Sequence, residues 1–348
     1  MAITLTSLTD LAAHGFDDII DARAPAEYAE DHLPGAISLP VLDDAERAEV
    51  GTIYKQVNPF TARKLGAALV AQNAARHLLG PLAGKPGGWR PLVYCWRGGQ
   101  RSGSFAMILS QIGWRVETIA GGYKAWRGLV VKALYDTPFP ARVVVLDGNT
   151  GSAKTDVLNR LPARGVQVID LEGLARHRGS LFGSMGAQPA QKAFDCALAM
   201  AVSRLDPSRP VVIEAESSKV GECRLPPEIW KAMVAAPRIA IAAPRAARAQ
   251  YLVRAYGDLV ADGTRLAQVV GQLRHAHAAC QIADWQAMAA GGAFVDLADG
   301  LMAAHYDPRY EKHRARMGGA VRELGAEGLT EADLDALADR VAAEVLGG

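Results

Sequence analysis

Short apolar runs alternate with longer amphipathic stretches over residues 1–136. The runs at 19–20, 91–94 and 113–119 have the length and the flanking turn residues of buried strands. Residues 43–80 carry apolar side chains at helical spacing, which predicts helix. Strands and helices that alternate in this way indicate an α/β domain with a mostly parallel sheet.

A second series of apolar runs follows a proline-punctuated linker at 137–140. We expect strands of another parallel sheet at 141–147, 166–172, 210–217 and 238–245. Beyond them we expect helices over 251–290, a last strand at 293–297, and two short amphipathic helices at 320–324 and 331–346.

The composition fits a chain of two α/β domains, 1–136 and 137–317, with a helical tail at 318–348. The chain has 348 residues, of which 50% are hydrophobic and 22% charged, as in ordinary globular proteins. No apolar run approaches the roughly 20 residues that span a bilayer. The N-terminus lacks the features of a signal peptide. We therefore expect a cytoplasmic protein without membrane contact; the net charge of +1 favours no partner, and no oligomeric state is indicated.

The four cysteines give no sign of a zinc site or a disulfide framework, because they are far apart and form no CxxC pair. They are Cys95, Cys196, Cys223 and Cys280.

The segment 94–102, Tyr-Cys-Trp-Arg-Gly-Gly-Gln-Arg-Ser, is the strongest candidate for chemistry. It joins a predicted strand to a predicted helix, where unpaired backbone N–H groups converge and stabilise a thiolate or an anion. Its two glycines let the chain curl so that these amides point inward. We expect Cys95 to be the nucleophile, and Arg101, with Arg97 as a second cation, to hold an oxyanion.

The glycine turn at 148–155 has the pattern of a P-loop. It follows an apolar strand and precedes a helical stretch, so its backbone amides can hold phosphate groups. The expected phosphate-binding residues are Gly148, Gly151, Ser152, Lys154 and Thr155, and Thr155 can also ligate Mg²⁺. The pattern departs at Ala153, where a glycine is expected and a methyl group narrows the loop.

Two further groups are candidates for a second site. Arg176, His177 and Arg178 lie in one glycine-containing loop, which favours a phosphate or RNA contact, although a solvated basic loop fits the same residue types. Glu214 and Glu216 end a predicted strand, where P-loop proteins place a metal-holding acid. Mg²⁺ is therefore a candidate ligand, but the sequence defines no metal site and no tightly bound cofactor.

Several arginines of the second domain are candidates for an RNA-binding surface. They are Arg160, Arg164, Arg176, Arg178, Arg245, Arg248 and Arg254.

Four motifs in order resemble a rhodanese domain. They are Asp21-Ala22-Arg23, the run from His32 to Ala36, the Cys95 segment and the run from Gly121 to Trp126. In that family the cysteine carries a sulfane sulfur or a related chalcogen as a covalent intermediate. Arg101 lies six residues after Cys95, one more than in most rhodaneses, which suits a donor larger than thiosulfate's terminal sulfur.

The whole arrangement, a rhodanese-like domain followed by a P-loop NTPase-like α/β domain, is similar to the bacterial tRNA 2-selenouridine synthases over roughly residues 8–315. The second domain carries this resemblance in Asp170-Leu171-Glu172, His177-Arg178-Gly179-Ser180, the run from Ile213 to Ser217 and His305-Tyr306-Asp307-Pro308. It implies a transferase that geranylates the sulfur of wobble 2-thiouridine in tRNA with geranyl diphosphate. The enzyme then replaces the geranylthio group with selenium from selenophosphate, through a selanylated Cys95. The implied partner is tRNA, and an enzyme that supplies selenophosphate is a further candidate.

Alternatives remain at two points. The P-loop could bind a nucleotide or the diphosphate of geranyl diphosphate; we favour the diphosphate, because the reaction needs no phosphoryl-transfer energy and Ala153 departs from the nucleotide pattern. The spacing of Cys95 and Arg101 is also that of cysteine-dependent phosphatases. A phosphatase, or a sulfurtransferase coupled to an NTP-binding domain, is therefore the alternative function.

Overall fold

A computed structural model describes residues 1–314 and 319–347, and its chain divides into two units. The first comprises Met1–Thr137 with Pro189–Ser203, and the second comprises Pro138–Gln188 with Arg204–Gly348. The segment 189–203, which the sequence analysis placed in the second domain, therefore belongs to the first unit. The expected boundary between 317 and 318 falls at residues outside the described ranges.

The first unit is built on a parallel sheet of five strands. They are β1 (Ala2–Ile3), β2 (Asp18–Asp21), β3 (Ala36–Ser38), β4 (Pro91–Tyr94) and β5 (Glu117–Ile119). Their order is β1-β5-β4-β2-β3, and every neighbouring pair is parallel. The predicted α/β architecture is confirmed here, and Cys95 directly follows the central strand β4.

Helices cover the sheet of the first unit. They are α1 (Asp10–Ala13), α2 (Pro25–Glu30), α3 (Asp44–Gln56), α4 (Pro59–Leu79), α5 (Gln100–Gln111) and α6 (Gly122–Tyr135). The predicted helical region 43–80 is thus a hairpin of two helices, broken before Pro59. Ile20, Val93, Phe105 and Leu109 meet in one buried core, which fixes the start of α5 beside the end of β4.

The second unit contains a parallel sheet and a small antiparallel pair. Its strands are β6 (Val143–Gly148), β7 (Gln167–Ile169), β8 (Val211–Glu214), β9 (Lys219–Val220), β10 (Cys223–Arg224), β11 (Arg238–Ala242) and β12 (Val321–Gly325). The main sheet has the order β12-β11-β6-β8-β7, and β9 pairs with β10. The glycine turn follows the central strand β6, at the edge where open α/β sheets bind ligands.

The remaining helices lie mostly in the second unit. They are α7 (Lys154–Arg160), α8 (Leu171–Ala175), α9 (Gln191–Ser203), α10 (Pro227–Ala235), α11 (Arg245–Ala255), α12 (Gly257–Val260), α13 (Gly263–Gln272), α14 (Ala279–Ala290), α15 (Phe294–Leu301), α16 (Asp307–Arg314) and α17 (Glu331–Gly347). A π-helical turn, Met302–Tyr306, joins α15 to α16. Helix α9 belongs to the first unit, where Asp195 forms an ion pair with Arg127 of α6.

Two predicted elements are wrong. The predicted strand at 293–297 is instead the N-cap residue and the first four residues of helix α15, in which Leu297, Ala298 and Leu301 are buried at helical spacing. The predicted helix at 320–324 is strand β12, which pairs in parallel with β11 and so satisfies its backbone groups. Its polar side chains hide the strand signal, as is common for an edge strand.

The last helix is confirmed, but it is not a separate tail. Its buried residues Leu334, Leu337 and Val341 pack in one core with Val157 and other residues of the second unit. The described part of 318–348 therefore contributes a strand and a helix to that unit. Among the described residues, no helix combines the length and the apolar character needed to cross a bilayer.

Candidate active sites

The Cys95 loop joins β4 to α5 in the first unit. The Cys95 thiol is 3% exposed, and the hydroxyl of Ser102 donates a hydrogen bond to Sγ at 3.1 Å. A hydroxyl donor at this distance stabilises a thiolate. Helix α5 begins at Gln100, so its free N–H groups face the same loop. The predicted nucleophile therefore lies at a helix N-terminus, with Ser102 as a donor that the sequence analysis did not identify.

The start of α6 holds this loop from the other side. The amide of Tyr123 donates to the carbonyl of Cys95 at 2.9 Å, and the amide of Lys124 donates to that of Trp96 at 2.9 Å. Gly122 has a φ of +56°, and a β-carbon there would overlap the carbonyl oxygen of Cys95 and the amide of Gly98. The close approach therefore requires glycine at position 122.

The two predicted cations of the loop have different surroundings. Arg101 Nη1 is 2.7 Å from Glu27 Oε2, and Arg47 Nε is 2.9 Å from the same oxygen. Burial would raise the pKa of Glu27, but the hydrogen bond and the charge of Arg101 lower it below its usual value. Arg97 is exposed and forms no ion pair within the described ranges. The structure thus ties Arg101 to a carboxylate 74 residues earlier, a contact that no local sequence signal indicates.

A buried network below the loop accounts for other rhodanese-like motif residues. Arg23 Nη2 is 2.6 Å from Asp21 Oδ2, and the hydroxyl of Tyr94 donates to the same carboxylate at 2.7 Å. The hydroxyl of Tyr123 donates to Asp31 at 2.7 Å. These contacts fix the ends of β2 and β4 and give the motif residues a structural role.

In the phosphate loop of the second unit, Ala153 adopts a backbone conformation that is typical of glycine. Ala153 has a φ of +60° and ψ of 29°, the left-handed conformation that non-glycine residues rarely adopt. The side-chain oxygens of Asn149 and Ser152 are buried without a hydrogen-bond partner in the part of the chain that the structure describes. Strain and unpaired polar atoms together are typical of a binding site.

Lys154 and Thr155 open helix α7 beside this turn. Lys154 Nζ donates to the carbonyl of Gly148 at 3.3 Å and lies 5.5 Å from the ring of Tyr310. Burial opposes the charged form, but Tyr310 and nearby carboxylates raise the pKa of Lys154 above its usual value. The Thr155 hydroxyl donates to Glu172 at 2.7 Å. The lysine is therefore a charged group next to the loop.

An acidic cluster, formed by Glu172, Glu214 and Glu216, lies next to the phosphate loop. Glu214 Oε1 accepts from the amide of Glu172 at 2.6 Å, and its other oxygen is buried without a partner among the described residues. Burial, followed by the charge of Glu172, raises the pKa of both Glu214 and Glu216 well above the usual value. Within residues 1–314 and 319–347, no group of three or more His, Cys, Asp or Glu side chains has an arrangement able to hold a metal ion.

The loop 176–178 contributes one residue to the phosphate site. A cavity of about 370 Å³ is lined by residues 150–156 and by Arg178, whose guanidinium lies 4.7 Å from the ring centre of Tyr256. Arg176 is exposed, and burial lowers the pKa of the half-buried His177. Of the three candidates, Arg178 is the one that lines this cavity.

An apolar cavity adjoins the phosphate cavity within the same unit. Its volume is about 80 Å³, and it shares Thr150, Ser180, Leu252 and Tyr256 with the phosphate cavity. The other lining residues are mostly apolar and include Phe182, Leu259, Leu297, Ala298, Leu301 and Met302. No local sequence signal indicates that these residues line one cavity, because they come from a loop and several helices that are far apart in the chain.

Comparison with known proteins identifies both units. Residues 4–129 match the family model "Rhodanese-like domain", and residues 141–274 match "tRNA 2-selenouridine synthase AAA domain". The chain is 34% identical to the tRNA 2-selenouridine synthase of Bordetella bronchiseptica over 85% of this chain and 88% of that protein. The chain belongs to the tRNA 2-selenouridine synthase family.

Other members of the tRNA 2-selenouridine synthase family agree with this assignment. The protein of that name from Alcanivorax borkumensis is 31% identical over 91% of this chain and 95% of its own length. The one from Hahella chejuensis is 36% identical over 68% of this chain, and that alignment spans 63% of the Hahella protein. The predicted family and its two domains are thus confirmed.

Asp307, which belongs to one motif of the synthase resemblance, supports the phosphate loop through Arg248. Asp307 forms two hydrogen bonds with Arg248, at 2.9 and 2.8 Å, and Arg248 also donates to the carbonyl of Thr150 at 3.0 Å. Arg248 is buried, so it cannot be part of an RNA-binding surface as predicted.

The remaining arginines proposed for that surface are mostly paired within the second unit. Arg160 and Arg164 pair with acidic residues of α17, Arg178 with Asp258, and Arg245 with Asp299. Arg254 donates to the carbonyl of Leu329. Because these contacts satisfy the guanidinium groups, the second unit is a weaker candidate for an RNA surface than its sequence indicates.

Proposed function

We propose that this protein is a tRNA 2-selenouridine synthase. It geranylates the sulfur of wobble 2-thiouridine in tRNA and then exchanges the geranylthio group for selenium. Family membership supports the reaction as a whole. The observation that carries the first step is the apolar cavity that shares four wall residues with the phosphate cavity.

Geranyl diphosphate has a charged diphosphate and an apolar chain, which match the phosphate cavity and the apolar cavity. Its diphosphate would bind the amides of the glycine turn and Lys154, as phosphates bind P-loops. Arg178 would also bind it, in competition with its ion pair to Asp258. Its hydrocarbon chain would enter the apolar cavity. Because about 80 Å³ is less than a ten-carbon chain requires, the cavity must widen, and the flexible side chain of Met302 is suited to that.

The geranyl transfer is a substitution at the first carbon of the chain. The thiocarbonyl sulfur attacks this carbon, a C–S bond forms, and the C–O bond to diphosphate breaks. The uridine loses its N3 proton to solvent, and diphosphate leaves. Lys154 and Arg178 would stabilise the negative charge that develops on the leaving group.

Mg²⁺ is a proposed auxiliary cation of this site. The Thr155 hydroxyl and the Glu172 carboxylate, 2.7 Å apart, are oxygen ligands of the kind that Mg²⁺ prefers. When bound, the ion would neutralise charge on the diphosphate.

The selenium exchange would use the Cys95 loop. Alkylation makes C2 of the uridine a better electrophile and turns the sulfur into a leaving group. Overall, S-geranyl-2-thiouridine, selenophosphate and water give 2-selenouridine, geranylthiol and phosphate, with no net oxidation. The donor phosphate would bind the loop amides, Arg97 and, in competition with Glu27, Arg101, and Cys95 would carry selenium. Because an S–Se bond holds selenium two electrons above selenide, loading Cys95 would need a two-electron oxidant such as a disulfide. Release of selenide from Cys95 would take the same two electrons from a thiol, so that the two steps together leave no net oxidation.

Nucleoside mass analysis tests both steps. Thiolated tRNA is incubated with the protein and geranyl diphosphate, and then with selenophosphate and a mixture of a thiol and its disulfide. We expect a geranyl adduct first and selenouridine second. Cys95→Ala should abolish selenouridine and spare the adduct. Normal selenouridine formation by Cys95→Ala would refute the role of Cys95.

A binding titration decides what the phosphate loop holds. We expect labelled geranyl diphosphate to bind saturably and Lys154→Ala to weaken it, with no matching effect on selenation of tRNA that is already geranylated. ATP binding that depends on Lys154 and is not displaced by geranyl diphosphate would refute this assignment.

A further inference from the structure

The charge of this chain is distributed unevenly. Residues 50–116 contain nine Lys and Arg residues and no Asp or Glu, although the whole chain has a net charge of only +1. This stretch runs through α3, α4 and the Cys95 loop. A long segment of one charge sign within a neutral chain indicates a polyanionic partner.

The turn between α3 and α4 exposes large apolar side chains near the start of this basic stretch. Tyr54 is 56% exposed, Val57 66% and Phe60 71%, and all eight residues from 54 to 61 are exposed. We call residues 54–64 the hairpin tip. Exposed aromatic rings beside cations are the combination on which unpaired nucleic-acid bases stack.

Three exposed cations of the hairpin tip have no carboxylate partner within residues 1–314 and 319–347. Lys55, Arg63 and Lys64 are exposed, and none of them pairs with a carboxylate in the ranges that the structure describes. The guanidinium of Arg63 donates a hydrogen bond to the backbone carbonyl of Pro59 at 3.2 Å. These charges differ from the paired arginines of the second unit, and they are available to phosphate groups.

The hairpin tip lies next to the Cys95 loop within the first unit. A cavity of about 290 Å³ is lined by Tyr54 and Arg63 on the hairpin side and by Gln100 and Arg101 on the side of α5. Gln100 and Arg101 are the first two residues of α5, directly after the loop that begins at Cys95. A base stacked on the tip would therefore lie close to the residues that handle selenium.

We propose that the hairpin tip is the stacking surface for unpaired bases of the tRNA anticodon loop beside the Cys95 loop. The proposal rests on the proposed function for the identity of the RNA. Tyr54 and Phe60 supply ring faces, and Lys55, Arg63 and Lys64 supply phosphate contacts. Single-stranded loops are the part of RNA that proteins bind by stacking, whereas duplex RNA offers no free base faces.

The test measures binding of a labelled anticodon stem–loop RNA to the full-length protein by fluorescence anisotropy at several salt concentrations. We expect Tyr54→Ala combined with Phe60→Ala to weaken binding by about tenfold, because each stack contributes to affinity. Tyr54→Phe combined with Phe60→Tyr should retain binding. Leu79→Ala, which removes an 85% exposed side chain at the other end of α4, is the matched control.

The charge test uses Lys55→Glu combined with Lys64→Glu. This double variant should bind the RNA more weakly. The slope of the logarithm of the binding constant against the logarithm of the salt concentration should become smaller by about one unit for each lost phosphate contact. Arg204→Glu combined with Arg274→Glu changes the net charge equally at exposed residues of the second unit and should have little effect.

Each outcome has one meaning. If the wild-type protein neither binds nor modifies tRNA, the proposed function fails. If it does both and the tip variants match it, only the stacking surface is refuted. If the tip variants keep RNA affinity but lose selenation only when selenophosphate is generated by its synthesising enzyme, the tip binds that protein, and the RNA proposal is wrong.

Discussion

Arg101 Nη1 lies 2.7 Å from Glu27 Oε2, so the predicted anion-binding cation of the Cys95 loop is held by a carboxylate of helix α2. A donor phosphate that binds Arg101 must compete with this carboxylate. Because a charged hydrogen-bond partner is about twice as strong as a neutral one, the ion pair weakens donor binding.

Glu27→Gln should therefore lower the KM for selenophosphate by about fivefold, corresponding to about 1 kcal/mol. Glutamine still accepts the hydrogen bond from the amide of Ala24, so α2 keeps its cap. Steady-state selenation of geranylated tRNA measures the effect. Glu30→Gln, an exposed acid on the same helix that pairs with Lys192, is the control. A higher KM in Glu27→Gln would mean that Glu27 positions Arg101 for the donor.

Gly122 gives a sharper test of the loop geometry. Gly122→Ala adds a β-carbon that overlaps the carbonyl oxygen of Cys95 and the amide of Gly98, so the loop must move. We expect selenation to fall by about a hundredfold, as a displacement near 1 Å does in other active sites. Geranylation should be unchanged, since its site lies in the second unit.

The control for this variant is Gly128→Ala on the same helix. No atom of the described residues lies within 4 Å of a β-carbon at position 128, so this change should leave both activities intact and slightly stabilise α6. Equal loss of selenation in both variants would contradict the specific role of position 122.

Local patterns predicted the two sheets, the Cys95 loop and the phosphate loop, because each strand–turn–helix unit consists of consecutive residues. Ala153 shows the limit of local patterns: the glycines around it predicted the turn, but the sequence did not indicate that Ala153 itself adopts a φ of +60°. The Arg101–Glu27 pair and the apolar cavity could not be predicted in this way, since tertiary packing brings their residues together. Strand β12 was missed because its pairing with β11, rather than its own polar pattern, stabilises it.

The apolar cavity should set the length of the chain that is transferred. Ala298 lines it, and Ala298→Leu adds three carbons to the wall. We expect kcat/KM for geranyl diphosphate to fall at least tenfold, while the five-carbon dimethylallyl diphosphate is affected less, because the added volume excludes the longer chain. Rates of tRNA alkylation with the two donors measure this.

Inhibition by inorganic pyrophosphate provides the control for Ala298→Leu. It reports on the phosphate loop alone and should not change. Ala287→Leu, at an exposed position of α14, should leave both donors unaffected. An equal loss for both donors would contradict a chain-length role of this cavity.

The acidic cluster should make the stability of the second unit depend on pH. Burial, with the charge of Glu172, raises the pKa of Glu214 well above its usual value of 4.5. A carboxyl with a raised folded-state pKa binds its proton more tightly in the folded state. Its favourable contribution is therefore present below pH 4.5 and is lost as the pH rises towards the folded-state pKa.

Glu214→Gln removes this titration and keeps an oxygen that can accept from the amide of Glu172. We expect the variant to unfold at a higher denaturant concentration than the wild type at pH 7. The difference should shrink towards pH 4.5, by about 1.4 kcal/mol for each unit by which the pKa is raised. Urea unfolding between pH 4.5 and 8 measures it. Glu222→Gln, whose side chain is 85% exposed, should show no such trend. A Glu214→Gln variant that is less stable than the wild type at every pH would show that the carboxylate is stabilised in its charged form.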